Sequence, residues 1–93
     1  MGTKTTRSEI LQEADRLVSQ DRHDQYGSAE DNLQHIANMW CLYVGKPLTS
    51  IDVAVMLTLM KISRVRSNPK HADNFIDACG YMALAGELAG DAE

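Results

Sequence analysis

The sequence predicts an all-α fold: a four-helix bundle with helices at about 6–20, 28–44, 50–66 and 70–89, assembled as an oligomer. Three observations predict it. Three times a Ser or Thr is followed three residues later by an acid, just ahead of an apolar run, which is the capping-box signature of a helix start. No segment alternates polar and apolar residues with the period of two that a half-buried strand needs. Two of the four helices are apolar nearly all round, more than four helices of 93 residues can cover by themselves. A second copy, most simply in a two-fold dimer, is expected to bury those two.

Thr6 with Glu9 opens the first helix, where Ile10, Leu11, Ala14, Leu17 and Val18 form one apolar stripe. Glu13, Asp15 and Arg16 occupy the opposite side, so one face is buried and one is wet. The polar stretch DRHDQYG separates this helix from the next, and Ser28 with Asp31 supplies the second box. Along the second helix, Leu33, Ile36, Ala37, Trp40, Tyr43 and Val44 are expected on one packed side. Gly45 ends that helix and Pro47 prevents its resumption. Thr49 with Asp52 opens the third, whose middle from Val53 to Met60 has the pattern of a central buried helix. Asn68-Pro69 ends it, because the residue before a proline is driven out of helical conformation, and Pro69 is expected as the first residue of the last helix. The fourth helix carries no charge between Asp77 and Glu87, and its small residues Gly80, Ala83 and Gly86 permit close approach of another helix.

Residues 1–93 read as a single helical domain, with 1–5 and 90–93 expected to be disordered. The net charge of −4 argues against a general DNA or RNA binder, which needs excess cations for the phosphate backbone. It leaves room for a local basic pocket. No signal peptide heads the chain, and no apolar run approaches the ~18 residues of a membrane span, so no membrane partner is expected. The opening MGTKTT fits the short myristoylation pattern, but so few positions match by chance often, and the pattern means nothing in a bacterium or phage. Cys41 and Cys79 fall in different helices without a C-x-x-C pattern, so two free core thiols are expected.

The residues that bear on chemistry cluster on the last two helices. At ~100° per residue, Lys61 and Arg64 stand about 60° apart, on the side of Ala54, Leu57 and Thr58. Asp52 is about 180° from Lys61 and cannot be its partner within the helix. Cations near a helix C-terminus complement its dipole, and Arg66 needs no other explanation. Lys61 lies further in, between Met60 and Ile62, and a partly buried charge requires a partner. Asp77, embedded in FIDACGYM, is the candidate from the next helix, either as a structural bridge or as part of a ligand site. Asp73, one turn earlier, is explained by the helix dipole. Arg22 and His23 precede the free N–H groups of the second helix, Tyr26 is placed to stack on a base, and Asn32 and His35 project from the helix beyond. Histidine spacing, glycine loops and nucleophile elbows yield no metal or catalytic motif.

DRHDQYGSAEDNLQHIANMW, DVAVMLTLMKISRVRSNPKH and DNFIDACGYMALAGELA together resemble a family of small helical proteins of bacteriophage and prophage genomes, over residues about 21–89. A more distant likeness is to the MazG-like all-α nucleoside triphosphate pyrophosphohydrolases. Those are oligomeric helical bundles that hold Mg²⁺ with E-x-x-E on one helix and E-x-x-D on the next. Here Asn74-Phe-Ile-Asp77 resembles the second motif with its first acid replaced, and Lys61-Ile-Ser-Arg64 stands on the preceding helix, where E-x-x-E has no counterpart. Cations there repel Mg²⁺ and attract phosphate directly.

The expectation is therefore a binding module for a nucleotide or other phosphate-bearing small molecule, without cofactor, in the cytoplasm of an infected or lysogenic bacterium. By analogy, such a phage protein sequesters a host defence signal nucleotide. Its ligand residues are expected to be Arg22, Tyr26, Asn32, Lys61, Arg64, Asp77 and Tyr81. One alternative is a Mg²⁺-dependent pyrophosphohydrolase using Asp73, Asp77 and Asp52. Another is an adaptor whose apolar fourth helix binds a protein.

Overall fold

The computed structural model describes residues 5–21 and 28–91, and every regular element among them is helical. Helix α1 spans Arg7–Arg16 and continues into a π-helical turn at Leu17–Asp21. Helix α2 spans Ala29–Val44, α3 spans Ser50–Ser67 and α4 spans Ala72–Asp91. Four helices are thus present where the periodicity places them. Of the ends expected to be disordered, residues 1–4 and 92–93 lie outside the described residues, whereas Gly90 and Asp91, also expected to be disordered, form the end of α4.

The caps explain the boundaries. Thr6 and Thr49 form complete capping boxes, each side chain accepting from the backbone N–H of the third helical residue while Glu9 or Asp52 accepts from the cap's own N–H. Ser28 forms only half a box: its hydroxyl accepts from Asp31 N–H at 3.0 Å, but its own N–H does not donate to the Asp31 carboxylate. Gly45 closes α2 at φ 79°, the left-handed conformation that glycine adopts at no steric cost. The α3–α4 corner departs from expectation. Pro69 does not start α4; it is the second residue of a turn in which His71 N–H donates to Asn68 C=O at 3.2 Å. Proline favours that position through its fixed φ, so α4 begins only at Ala72.

Helix α3 is central: it packs along most of α4 on one side and against α2 on the other. Helix α1 lies on α4. The core joins Ala29, Leu33 and Ala37 of α2, Val53 and Ala54 of α3, and Leu84 and Ala85 of α4. Its fully buried large side chains are Leu33 and Val53. Gly80 brings α4 against the π-helical turn, where a Cβ would meet Val18 Cγ1 at 3.0 Å.

Several apolar residues expected inside are outside. Leu11 of α1 is exposed. Tyr43 is 96% exposed, and Val44 is also open. Tyr43 lies about 80° round α2 from the fully buried Leu33, off the face that meets the core. On α3, Val55, Met56, Leu59, Met60 and Ile62 are exposed, so within one chain this helix is buried on one half only.

Candidate functional site

Lys61 belongs to the row Ala54, Leu57, Thr58 and Lys61 that α3 turns toward α4. Ala54 and Thr58 in this row are small enough to let the two helices approach, and the polar groups left to match are the Thr58 hydroxyl and the lysine head. Thr58 matches itself, its buried hydroxyl donating to Ala54 C=O at 2.8 Å. Lys61 Nζ lies 2.8 Å from Asp77 Oδ2 on α4, with side chains 13% and 30% exposed. The cross-helix pair expected from sequence is therefore formed. Asp52, as expected, takes no part: it is exposed at the start of α3, where its carboxylate accepts from Thr49 N–H at 2.9 Å.

Arg64 does not join the pair. It is exposed one turn further along α3 and makes no ion pair with any described residue. Asp73 is 71% exposed and faces His71 Nε2 at 3.6 Å, outside the bridge. Tyr81, one turn beyond Asp77 on the same face, is half-buried. Asn32 is half-buried on α2, and His35 is exposed. Arg22, His23 and Tyr26 lie outside the described residues. Cys41 and Cys79 are free and half-buried rather than core.

Asn74 was not among the expected ligand residues. It sits one turn before Asp77 and about 60° from it round α4, and it is only 3% exposed. Its backbone N–H donates to His71 C=O at 3.2 Å, but its side-chain amide has no hydrogen-bond partner among the described residues. A buried amide with donors and an acceptor unmatched costs about 1–3 kcal/mol. The sequence signal for it was an Asn at the place of an acid in a resembled motif, without any sign of burial.

The arrangement does not fit Mg²⁺. Of the two acids on α4, Asp77 is already neutralised by an ammonium group and Asp73 is turned to solvent beside an imidazole. No group of three or more His, Cys, Asp or Glu converges among the described residues. Mg²⁺ takes carboxylates without a competing cation at contact distance. What the geometry provides instead is an ammonium group with donors to spare, a guanidinium one turn away and a buried amide.

Two open depressions occur elsewhere among the described residues. One, of about 550 Å³, is lined by Trp40, Tyr43, Val44 and Met56. The other, of about 490 Å³, lies between the polar side of α1 and Ala72 and Ile76 of α4. Neither includes Lys61 or Asp77. No helix among the described residues is long and apolar enough to cross a membrane.

Comparison with known proteins bears on the family. Residues 9–89 match the domain of unknown function DUF6378, and the chain belongs to that family. It is 42% identical over 72 residues to the Gene 55 protein of Mycobacterium phage D29, covering 77% of this chain and 48% of the relative. It is 40% identical over 76 residues to the Gene 55 protein of Mycobacterium phage L5, covering 81% and 49%. The chain thus spans about half the length of these phage relatives. The resemblance to phage proteins is borne out. No solved structure matches the chain.

Proposed function

We propose, for this member of the DUF6378 family, a binding function: the chain holds a nucleotide or other phosphate-bearing small molecule at the α3–α4 seam. The observation that carries this reading is the partly buried Lys61–Asp77 pair beside Asn74, a buried amide with no side-chain hydrogen bond among the described residues. Three ammonium protons serve one observed carboxylate contact, so Lys61 retains donors for a phosphate oxygen. Arg64, one turn away and without an ion pair among the described residues, adds a forked donor set suited to phosphate. Asp77 orients Lys61 and, with Asn74, presents polar groups that a base or sugar edge can match. Tyr81 lies on the same face, and Arg22, Tyr26 and Asn32 complete the proposed ligand set.

The role we assign is capture without turnover, since the acids that would gather Mg²⁺ are replaced by cations and an amide. In a phage setting, capture of a host signal nucleotide in the cytoplasm follows by analogy. The bundle itself is proposed to be MazG-like in arrangement and self-associated, as a dimer or higher oligomer.

A thermal-shift panel of nucleoside mono-, di- and triphosphates, cyclic nucleotides and inorganic phosphate tests the reading. A ligand at a hundred times its dissociation constant adds about 2.7 kcal/mol. In a domain of this size that raises Tm by roughly ten degrees or more. A Lys61→Ala, Arg64→Ala variant that bound the active compound as tightly as wild type would remove the site. Small molecules released on denaturing fresh protein, identified by mass spectrometry, give the ligand directly. Pyrophosphate release in the presence of Mg²⁺ would return the reading to hydrolysis.

A further inference from the structure

We infer that the outward face of α3 is a two-fold interface on which a second copy of this chain packs antiparallel, centred on Leu59. The inference rests on the self-association proposed above and adds to it a face, a register and a pair of ionic contacts.

Asp52, Val55, Met56, Leu59, Ile62 and Arg66 follow one another at steps of three and four, apart from the adjacent pair Val55–Met56. On a helix they fall within about 60° of Leu59, forming one stripe. All are exposed, and Leu59 at the middle is 59% exposed. The opposite side of α3, with Ala54, Thr58 and Lys61, is already occupied by α4. The stripe is thus apolar in its centre, acidic at one end and basic at the other.

That pattern complements itself under one operation. A two-fold axis through Leu59 relates antiparallel helices so that a residue n places before Leu59 faces the residue n places after it in the other copy. Asp52 lies seven before and Arg66 seven after, so each Asp52 faces an Arg66 of the second copy, and the contact occurs twice. Met56 faces Ile62 by the same rule, three before and three after. A parallel pairing in register would set Asp52 against Asp52 and Arg66 against Arg66, which repel. The antiparallel pairing also places each helix N-terminus beside the other's C-terminus, favourably for both dipoles. Arg66 has no ion-pair partner among the described residues, and Asp52, itself exposed, uses Oδ2 to cap α3, while Oδ1 has no hydrogen bond among the described residues. One six-residue helical stripe is a small interface, at or below the low end of specific ones, so the dimer should be reversible and concentration-dependent.

Sedimentation velocity across micromolar to submillimolar protein tests association, and engineered thiols test the face. In a Cys41→Ser, Cys79→Ser background, Leu59→Cys places two thiols on the axis. Helix axes ~8–10 Å apart, less two Cα radii of ~2.3 Å, leave about 3.4–5.4 Å between those Cα atoms, which overlaps the ~4.4–6.8 Å a disulfide spans. We expect a concentration-dependent dimer, disulfide cross-linking by Leu59→Cys but not by Lys70→Cys, and about ten-fold weaker association in Arg66→Glu at low salt. Lys70→Glu, the same charge change off the face, should leave association as in wild type. Monomer at every concentration overturns both self-association and this interface. A dimer that Leu59→Cys does not cross-link overturns the interface and leaves self-association through another face. Cross-linking with Arg66→Glu as tight as wild type overturns the antiparallel register. The substituted positions are exposed, and unchanged far-ultraviolet circular dichroism verifies folding in each variant.

Discussion

Lys61 of α3 and Asp77 of α4 meet with Nζ 2.8 Å from Oδ2, and theirs is the ion pair among the described residues that ties one helix to another. The Arg16–Glu13 and His71–Asp73 contacts are local to one helix or its start. Lys61 is 13% exposed, so removing its partner strands a charge in a poorly solvated seam. Asp77→Ala should destabilise the fold by about 1–3 kcal/mol, more than Lys61→Met, which removes the charge and keeps the stem. The double variant Lys61→Met, Asp77→Ala should recover most of the loss. Urea denaturation of the four proteins measures the cycle, and additive losses would show that the pair is not coupled.

Asn74 should show opposite effects on stability and binding. Asn74→Leu fills nearly the same volume and removes unmatched polar atoms from a site 3% exposed. The free protein should gain about 1 kcal/mol in urea melts. The same variant should lose most of the ligand-induced Tm shift. Lower stability with undiminished binding would mean that the amide is matched in the free protein and has no role toward ligand.

Gly80 and Gly86 lie on one helix yet should respond differently to alanine. At Gly86 a Cβ meets nothing within 4 Å, so Gly86→Ala should stabilise by about 0.5–1 kcal/mol through helix propensity. At Gly80 the added methyl meets Val18 Cγ1 at 3.0 Å, and valine is stiff about χ1. Crowding of this kind costs about 1–3 kcal/mol and outweighs the propensity gain. Thermal melts should place Gly80→Ala below wild type. In a Val18→Ala background the same substitution should become stabilising.

Acid should loosen α1 through Glu9. Hydrogen bonds from the Thr6 backbone N–H and hydroxyl hold this carboxyl below its ordinary value. A depressed folded value means that the carboxylate's contribution is complete above the unfolded value of about 4.3 and is lost as pH falls through the folded value. Glu9→Gln keeps a capping side chain without the charge. Between neutral pH and pH below 4, wild type should lose more stability than Glu9→Gln in paired urea melts. Identical pH profiles would place the acid sensitivity elsewhere. The carboxyl of Glu13, also lowered by its hydrogen bond to Arg16, is common to both proteins and cancels in the comparison.

Much of the fold was legible because helix starts are local chemistry. Thr6 and Thr49 satisfy backbone N–H groups three residues on, and Gly45 accepts a backbone angle that other residues resist, whatever the rest of the chain does. The candidate site was half legible. The angular reading excluded Asp52 and pointed Lys61 at Asp77, since both follow from spacing on rigid helices. Arg64 lies about 60° from Lys61, enough to carry a guanidinium from the seam to the surface. Burial of Asn74 depends on how closely α4 seats against its neighbours, which no pattern within α4 states.

Sequence alone determined where the capped helices begin, that none of the described residues pairs as a strand, and that Lys61 needs a partner beyond its own helix. These follow from hydrogen bonding and charge within a turn or two of each residue. Only the tertiary structure decided which of two nearby cations meets Asp77, that Pro69 bends a corner instead of starting a helix, and which half of apolar α3 lies open. A helix that is apolar all round gives no rotational preference of its own. The orientation of α3 comes from the close fit of Ala54 and Thr58 to α4 and of Val53 to the α2 side, and that fit turns Leu59 outward.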